Sequence, residues 1–315
     1  MLSIPFVEKF FGSLKPKVYD DFVDRINYYY TSMLFLFFAI MVAAKQYVGS
    51  PIQCWAPAQF KGGWEQYLED YCFIKNTYYL PHDEHFPDVP QRRELEIGYY
   101  QWVPIMLALQ ALCFYFPSLI WKGLCWQSGI DVKAILERAT EIKAIDPGAR
   151  HEAVGKLGVY VADALNMQRR VGARNGWLFI RWGRDLGSYL NTLYLLIKVL
   201  YVLNCIGQFF LLNEFLGSDY RFFGIQVLLD VASGRDWQIS GHFPRVTMCD
   251  FRVRVLGNVQ AHTVQCVLMI NLFNEKIYVV VWFWLLIVAV FTCLNFVYWL
   301  FSSINAPSRT STVKR

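Results

Sequence analysis

The chain has 315 residues, of which 55% are hydrophobic, 17% aromatic and only 17% charged, with a formal net charge of +5. Soluble domains carry about 25% charged residues, so this composition excludes an ordinary soluble domain and places the chain in the membrane class. The small net charge leaves no footprint of nucleic-acid binding.

Residues 1–27 mix Lys9, Lys15, Lys17 and Arg25 with Glu8, Asp20, Asp21 and Asp24. They hold no apolar run long enough for a signal peptide, so the first span is expected to lead insertion itself. That span is read at 28–45. Its centre, MLFLFFAIMVAA, is uninterrupted, Tyr28, Tyr29 and Tyr30 mark one interface, and Lys45 can snorkel at the other. A loop at 46–98 follows.

The second span, 99–121, reads YYQWVPIMLALQALCFYFPSLIW and carries no charge. As a helix it reaches about 34 Å, enough for a hydrocarbon core of about 30 Å. Pro104 is expected one turn inside it. Tyr99, Tyr100 and Trp102 at one end and Trp121 at the other fit interfacial aromatic belts.

The segment 122–187 is expected to be a folded, helical loop. Val154, Leu157, Val161, Ala164, Leu165 and Gln168 recur at helical spacing. Asp131 is a plausible N-cap for an earlier helix, separated from the next by Pro147 and Gly148. The third span is read at 188–212 and the fourth at 277–301. Between them, the loop 213–276 begins with a helical stretch at 220–232 and turns strand-like at 246–256. A short tail, 302–315, ends the chain.

Basic residues set the orientation. Segment 122–187 has 11 Lys/Arg against 7 Asp/Glu, and 46–98 has 4 against 8. The tail adds Arg309, Lys314 and Arg315 with no acid. Both termini and the middle loop are therefore expected in the cytoplasm, and the two other loops outside.

Cysteine placement agrees. Cys54 and Cys72 lie in the first outer loop and Cys249 and Cys266 in the second. Cys113, Cys205 and Cys293 fall within spans and Cys125 just inside the cytoplasm. Disulfides belong on the oxidising side, and four cysteines allow three connectivities.

No catalytic motif is present: there is no GxSxG, HExxH or phosphate-binding glycine loop. No catalytic residue, metal site or cofactor is expected. His82 and His85, which flank Asp83 and Glu84, read as a solvated loop, and His242 as a loop or docking residue. Lys198 inside span three costs about 3 kcal/mol or more unless it faces water, a partner or the bundle interior. A structural role is expected for it ahead of a role in permeation. Asn191, Asn204, Gln208, Gln110 and Asn295 are candidate interhelical hydrogen-bonders.

The motifs together resemble one family. YYQWVP (Tyr99, Tyr100, Gln101, Trp102, Val103 and Pro104) resembles the signature of the innexins, the gap-junction proteins of invertebrates. IQCWAPAQF at 52–60, DWQISGHFPRVTMCDF at 236–251 and VQCVLMINLFNEKI at 264–277 resemble their outer-loop motifs. Details around span one look nematode-like. Two cysteines per outer loop separate the chain from connexins.

The resemblance implies an all-α membrane protein. Its four-transmembrane-helix bundle would carry a helical cytoplasmic loop domain and a small disulfide-stapled extracellular cap containing short β-strands. It implies eight subunits around a pore in the plasma membrane, docked through the outer loops to a hemichannel of the neighbouring cell. Other innexins are alternative partners, and membrane lipid surrounds the subunits. The N-terminal segment, with Met1, Leu2, Ser3 and Ile4, and the end of span one, with Lys45 and Gln46, are expected to line the conduit. The bland alternative for residues 1–12 is an amphipathic segment on the inner leaflet. The short tail puts tail-dependent gating in doubt.

Cross-loop disulfides, Cys54 to Cys266 and Cys72 to Cys249, are expected because the loop ends emerge near one another and the family pattern leans that way. An undocked hemichannel and a non-conducting four-span adhesion protein are the competing functions. The long middle loop argues against the latter.

Overall fold

The structure, a computed structural model, describes residues 21–81, 85–125, 132–143, 147–171, 189–216 and 243–304. Four helical stretches are long and apolar enough to cross a membrane: Phe22–Tyr47, Val103–Cys125, Tyr189–Phe215 and Met269–Ile304. Large apolar side chains stay exposed along them, among them Phe37, Leu112, Phe210 and Leu294. A soluble protein would bury such residues; lipid or a neighbouring subunit has no such requirement.

The first stretch is composite. Helix α1 (Phe22–Arg25) passes into a π-helical turn at Ile26–Thr31 and then into α2 (Ser32–Tyr47). It starts well before the expected boundary at 28, because the carboxylates of its first turn find buried partners. Within the π-turn, Thr31 donates from Oγ1 to the Ile26 carbonyl at 2.8 Å, and Asn27, fully buried, donates to Thr292 Oγ1 at 2.9 Å.

Span two also departs from expectation. Tyr99–Gln101 forms a separate 3₁₀ turn, and helix α5 runs over Val103–Cys125. Pro104 is thus the second residue of the helix and not one turn inside it. At that position its missing N–H has no intrahelical acceptor to lose. The proline inside the helix is Pro117.

After α5 the described residues form α6 (Val132–Lys143), α7 (Pro147–Val171), α8 (Tyr189–Leu216) and α9 (Met269–Ile304). Pro147 opens α7, where its fixed φ suits the first turn. On α7, Leu157, Val161 and Ala164 are half-buried but Val154 is exposed, so the expected apolar face is only partly covered. Helix α9 begins before the apolar window. Its first turns carry the buried polar residues Asn271, Asn274 and Glu275, which hydropathy alone assigns to the loop. Asp131 and the stretch 220–232 lie outside the described residues.

The chain divides into two compact units. Unit one is Met1–Ser32, Leu112–Cys205 and Val288–Arg315; unit two is Met33–Ala111 and Ile206–Ile287. In unit one, Phe114, Ile197, Tyr201 and Val288 are buried, and α6 packs on α7. There, Asn191 of α8 donates to Ser303 Oγ of α9 at 2.5 Å and Tyr189 donates to the Leu124 carbonyl of α5 at 3.1 Å.

Unit two holds a five-stranded antiparallel sheet of order β1-β5-β4-β2-β3. The strands are β1 (Gln53–Cys54), β2 (Thr77–Tyr78), β3 (Glu96–Ile97), β4 (Val246–Val255) and β5 (Asn258–Val267). Thus β4 and β5 form a long hairpin and the first loop supplies the short flanking strands. Short helices α3 (Gly63–Lys75) and α4 (Val89–Glu94) sit in the first loop, between α2 and α5.

Candidate functional site

In unit two, the chemistry of the loops builds one structure from two distant pieces of chain. Cys54 of β1 faces Cys266 of β5 in register, and their sulfurs are joined. Trp55 N–H donates to the Gln265 carbonyl at 2.8 Å, which makes the adjoining 54–266 position the non-hydrogen-bonded kind, where side chains approach most closely. The Cα atoms there are 3.9 Å apart. A second disulfide joins Cys72 of α3 to Cys249 of β4. Leu68 and Cys72, one turn apart, are the buried residues of α3, so the disulfide fixes the face that packs. Phe60 and Tyr71 meet Phe251 edge-on, and His262 stacks on Phe251, filling the space between loop and sheet.

The signature YYQWVP has a local structural task. Gln101 Nε2 donates to the carbonyls of Phe73 and Ile74 at 2.7 and 3.1 Å and to Asn76 Oδ1 at 2.8 Å. Tyr100 Oη donates to the Phe73 carbonyl at 3.2 Å. The last carbonyls of a helix lack intrahelical donors, so these two side chains close the C-terminal end of α3. Asn76, at φ 77°, turns the chain away, and a Cβ at Gly98 would meet its side chain at 3.1 Å. Tyr99 sits edge-on to Phe215 and Phe243. Trp102 is exposed, as an interfacial anchor requires, while Val103 and Pro104 are buried.

The sheet also carries a charged centre. Asp250 accepts from Thr263 Oγ1 at 2.7 Å, Arg92 Nη1 at 3.0 Å and Tyr78 Oη at 3.2 Å. Burial raises the Asp250 carboxyl, but the bonds from Thr263 and Arg92 outweigh it and hold it below its ordinary range. Burial, with the Asp250 charge second, pushes the Tyr78 phenol up to about 12. Arg92 is held in turn by the Pro87 carbonyl at 2.7 Å and by the Phe86 ring.

In unit one, Lys198 of α8 is 1% exposed and lies 2.7 Å from both Asp21 Oδ2 and Asp24 Oδ1. Asn295 Nδ2 and Trp299 Nε1 of α9 donate to that same Asp21 oxygen at 2.7 and 3.1 Å. Tyr194 donates to Asp24 at 3.3 Å and its ring lies under the ammonium, 4.9 Å away. The lysine is therefore paired and satisfied on every side, which is what burial of a charge demands.

The sequence profile of the innexin family matches residues 20–315. Innexin unc-9 of Caenorhabditis elegans is 47% identical over 301 residues, covering 94% of this chain and 78% of that protein. Innexin-3 of the same organism is 48% identical over 297 residues, covering 94% and 70%. Innexin-19 of Caenorhabditis briggsae is 42% identical over 302 residues, covering 93% and 69%. The chain belongs to the innexin family.

Family membership supports a gap-junction channel subunit and a multi-pass protein of the plasma membrane. Of the residues expected to line a conduit in this innexin, Met1, Leu2, Ser3 and Ile4 lie outside the described residues, as do His82 and His242. Lys45 is half-buried with its ammonium 5.8 Å from the Phe273 ring centre. Gln46 is 9% exposed and its amide points at the Gln101 carbonyl, 3.5 Å away. The sulfurs of Cys54, Cys72 and Cys266 lie within 4.8 Å of one another. All three are bound in disulfides, so none is free to be the thiolate a metal would need.

Residues that pattern reading passed over are Asp21, Asp24, Arg92, Asp250 and Glu275. Arg245 donates to both oxygens of Glu275, at 3.2 and 2.9 Å, and Glu275 is nearly buried. Each acid sits in a stretch of mixed charge, so only its distant partner distinguishes it.

Proposed function

We propose that this innexin assembles, eight subunits to a ring, into a hemichannel that docks with one on the neighbouring cell to form a gap junction. Ions and small metabolites pass by diffusion. Both termini and the middle loop face the cytoplasm, and the outer loops meet across the gap. Met1 to Ile4 and the end of span one at Lys45 and Gln46 contribute to the conduit.

The observation that carries the docking reading is the cap. Two loops are fused into one sheet by two cross-loop disulfides. Its longest hairpin ends in Leu256, which is 100% exposed. A rigid, preorganised surface loses less conformational freedom on association. The chain also has no N-x-S/T site, so no N-linked glycan stands on the outer loops to obstruct a facing partner.

Dye and current transfer between paired cells expressing this chain alone tests the proposal. Transfer in pairs is the expected result. Current in single cells without transfer in pairs would leave an undocked hemichannel. Neither, with the protein at the surface, would overturn the channel reading.

A further inference from the structure

Asp21 is the residue from which the first membrane-crossing stretch starts, and it occupies the N-cap position of α1. An aspartate there ordinarily accepts from the free N–H groups of its own helix. Here it makes no such bond. Its Oδ2 instead accepts three donors from two other helices: Lys198 Nζ of α8, and Asn295 Nδ2 and Trp299 Nε1 of α9. Asp24, one turn on, shares the same ammonium. One turn further, Asn27 donates to Thr292 Oγ1, which in turn donates to the Val288 carbonyl of α9.

Three features show that this is more than neutralisation of a buried lysine. One carboxylate would balance Lys198, yet two are present. The second is given up by the helix that needs it as a cap. And the stretch it starts is interrupted at once by a π-helical turn, Ile26–Thr31, a geometry found where helices change register or serve function. The start of this stretch is thus held by side chains of two other helices, with a register defect one turn later, and not by a cap of its own.

Resting on the channel reading above, we infer that the Asp21–Lys198–Asn295–Trp299 joint positions the cytoplasmic start of span one on spans three and four and sets the open–closed balance of the channel. Asp21, Asn295 and Trp299 are positioning residues: they touch no permeant. Lys198 is the hub that both carboxylates share.

The test uses the full chain. Asp21→Ala removes the joint yet leaves the Lys198–Asp24 pair, so the lysine stays neutralised and the protein folds. Wild type, Asp21→Ala, Asp21→Glu and Asn295→Ala are expressed in paired and single cells with surface amount measured. At equal surface amount, Asp21→Ala is expected to change open probability at least about five-fold with unitary conductance unchanged. Asp21→Glu restores most of it and Asn295→Ala falls between.

In detergent, tryptic cleavage after Arg25, in the freed first turn, is expected to accelerate by a similar factor in Asp21→Ala. Altered surface amount with normal gating and normal cleavage would overturn the inference and leave a purely structural ion pair. A change in unitary conductance or ion selectivity would overturn it in favour of a pore-lining role. If wild type passes no current in either arrangement, the channel reading fails and the gating role falls with it, while faster cleavage still establishes the joint.

Discussion

In unit two, segments 212 and 177 residues apart in sequence are held by two covalent bonds and by short cross-loop strand pairings, β1 with β5 and β2 with β4. In unit one, segments separated by 174 to 278 residues are held by a few side-chain bonds that converge on Lys198 and Asp21. The first arrangement admits a single seating, because a disulfide and a ladder fix one register. The second is less restrictive: charge-assisted hydrogen bonds can be exchanged for others at modest cost when all donors stay satisfied. A docking surface benefits from the former, and a part that must move benefits from the latter.

The difference is testable by breaking each in turn. Lys198→Met leaves two half-buried carboxylates without their cation, and breaking a buried pair in this way costs up to about 3–5 kcal/mol. The expected outcome is loss of most folded protein by size-exclusion and thermal unfolding in detergent. Adding Asp21→Asn and Asp24→Asn to the same chain recovers most of the loss, because the uncompensated charge is what harms. No recovery would mean that the lysine stem, not its charge, holds the helices.

Next in size is the covalent tie. Replacing Cys72 and Cys249 together by Ser is expected to cost about 2–4 kcal/mol. The loss shows as faster amide exchange in α3 and the β4–β5 hairpin, with exchange around Lys198 unchanged. An equal rise around Lys198 would show that the effect of this disulfide is not confined to the cap.

How much of this could be read beforehand differs between the units for a physical reason. Hydropathy located all four long helices, because bilayer thickness imposes a length that few other constraints do. Their ends were missed wherever polar residues are buried by partners, as at Asp24, Asn271 and Glu275. Strand β4 was legible from alternation in VTMCDFRVRV. Strand β5 was not: VQCV runs into apolar VLMINLF, which reads as the approach to span four. Helix α3 was missed since it buries only Leu68 and Cys72, too narrow a stripe for periodicity. That Lys198 needed partners followed from the cost of a charge in lipid; which partners it had did not, since nothing local in DDFVDR marks Asp21 and Asp24.

Smaller changes sharpen the picture of the cap. Gln101→Ala removes donors to Phe73, Ile74 and Asn76 and is expected to cost about 1–2 kcal/mol, read as fraying of the last turn of α3 in amide exchange. Unchanged exchange there would show that water replaces the side chain. At the hairpin tip, Leu256 and Gly257 have φ of 48° and 87°, the pair of positive values that a two-residue turn of the I′ kind requires. Asn suits the first position better than leucine. Leu256→Asn is therefore expected to raise cap stability slightly while lowering current between paired cells if the exposed leucine meets the facing hemichannel. A gain in stability with normal junctional current would confine docking to other residues.

The smallest expected effect concerns pH. Asp250 is tied to Arg92, Thr263 and Tyr78, and its carboxyl is held below the ordinary carboxylate range. A carboxylate whose folded value is depressed contributes its stability above the unfolded value, about 3.9, and loses it as pH falls through the folded one. Both Asp250 and Arg92 are partly exposed, so the pair contributes no more than about 1 kcal/mol. Resistance of the hairpin to amide exchange should thus be flat from pH 7 to about 5 and decline only below about 4. Asp250→Asn abolishes the decline, since the amide cannot titrate, and lowers the plateau. The tie between first and second loops is then weaker while both disulfides persist. A decline that persists unchanged in Asp250→Asn would remove Asp250 from the account.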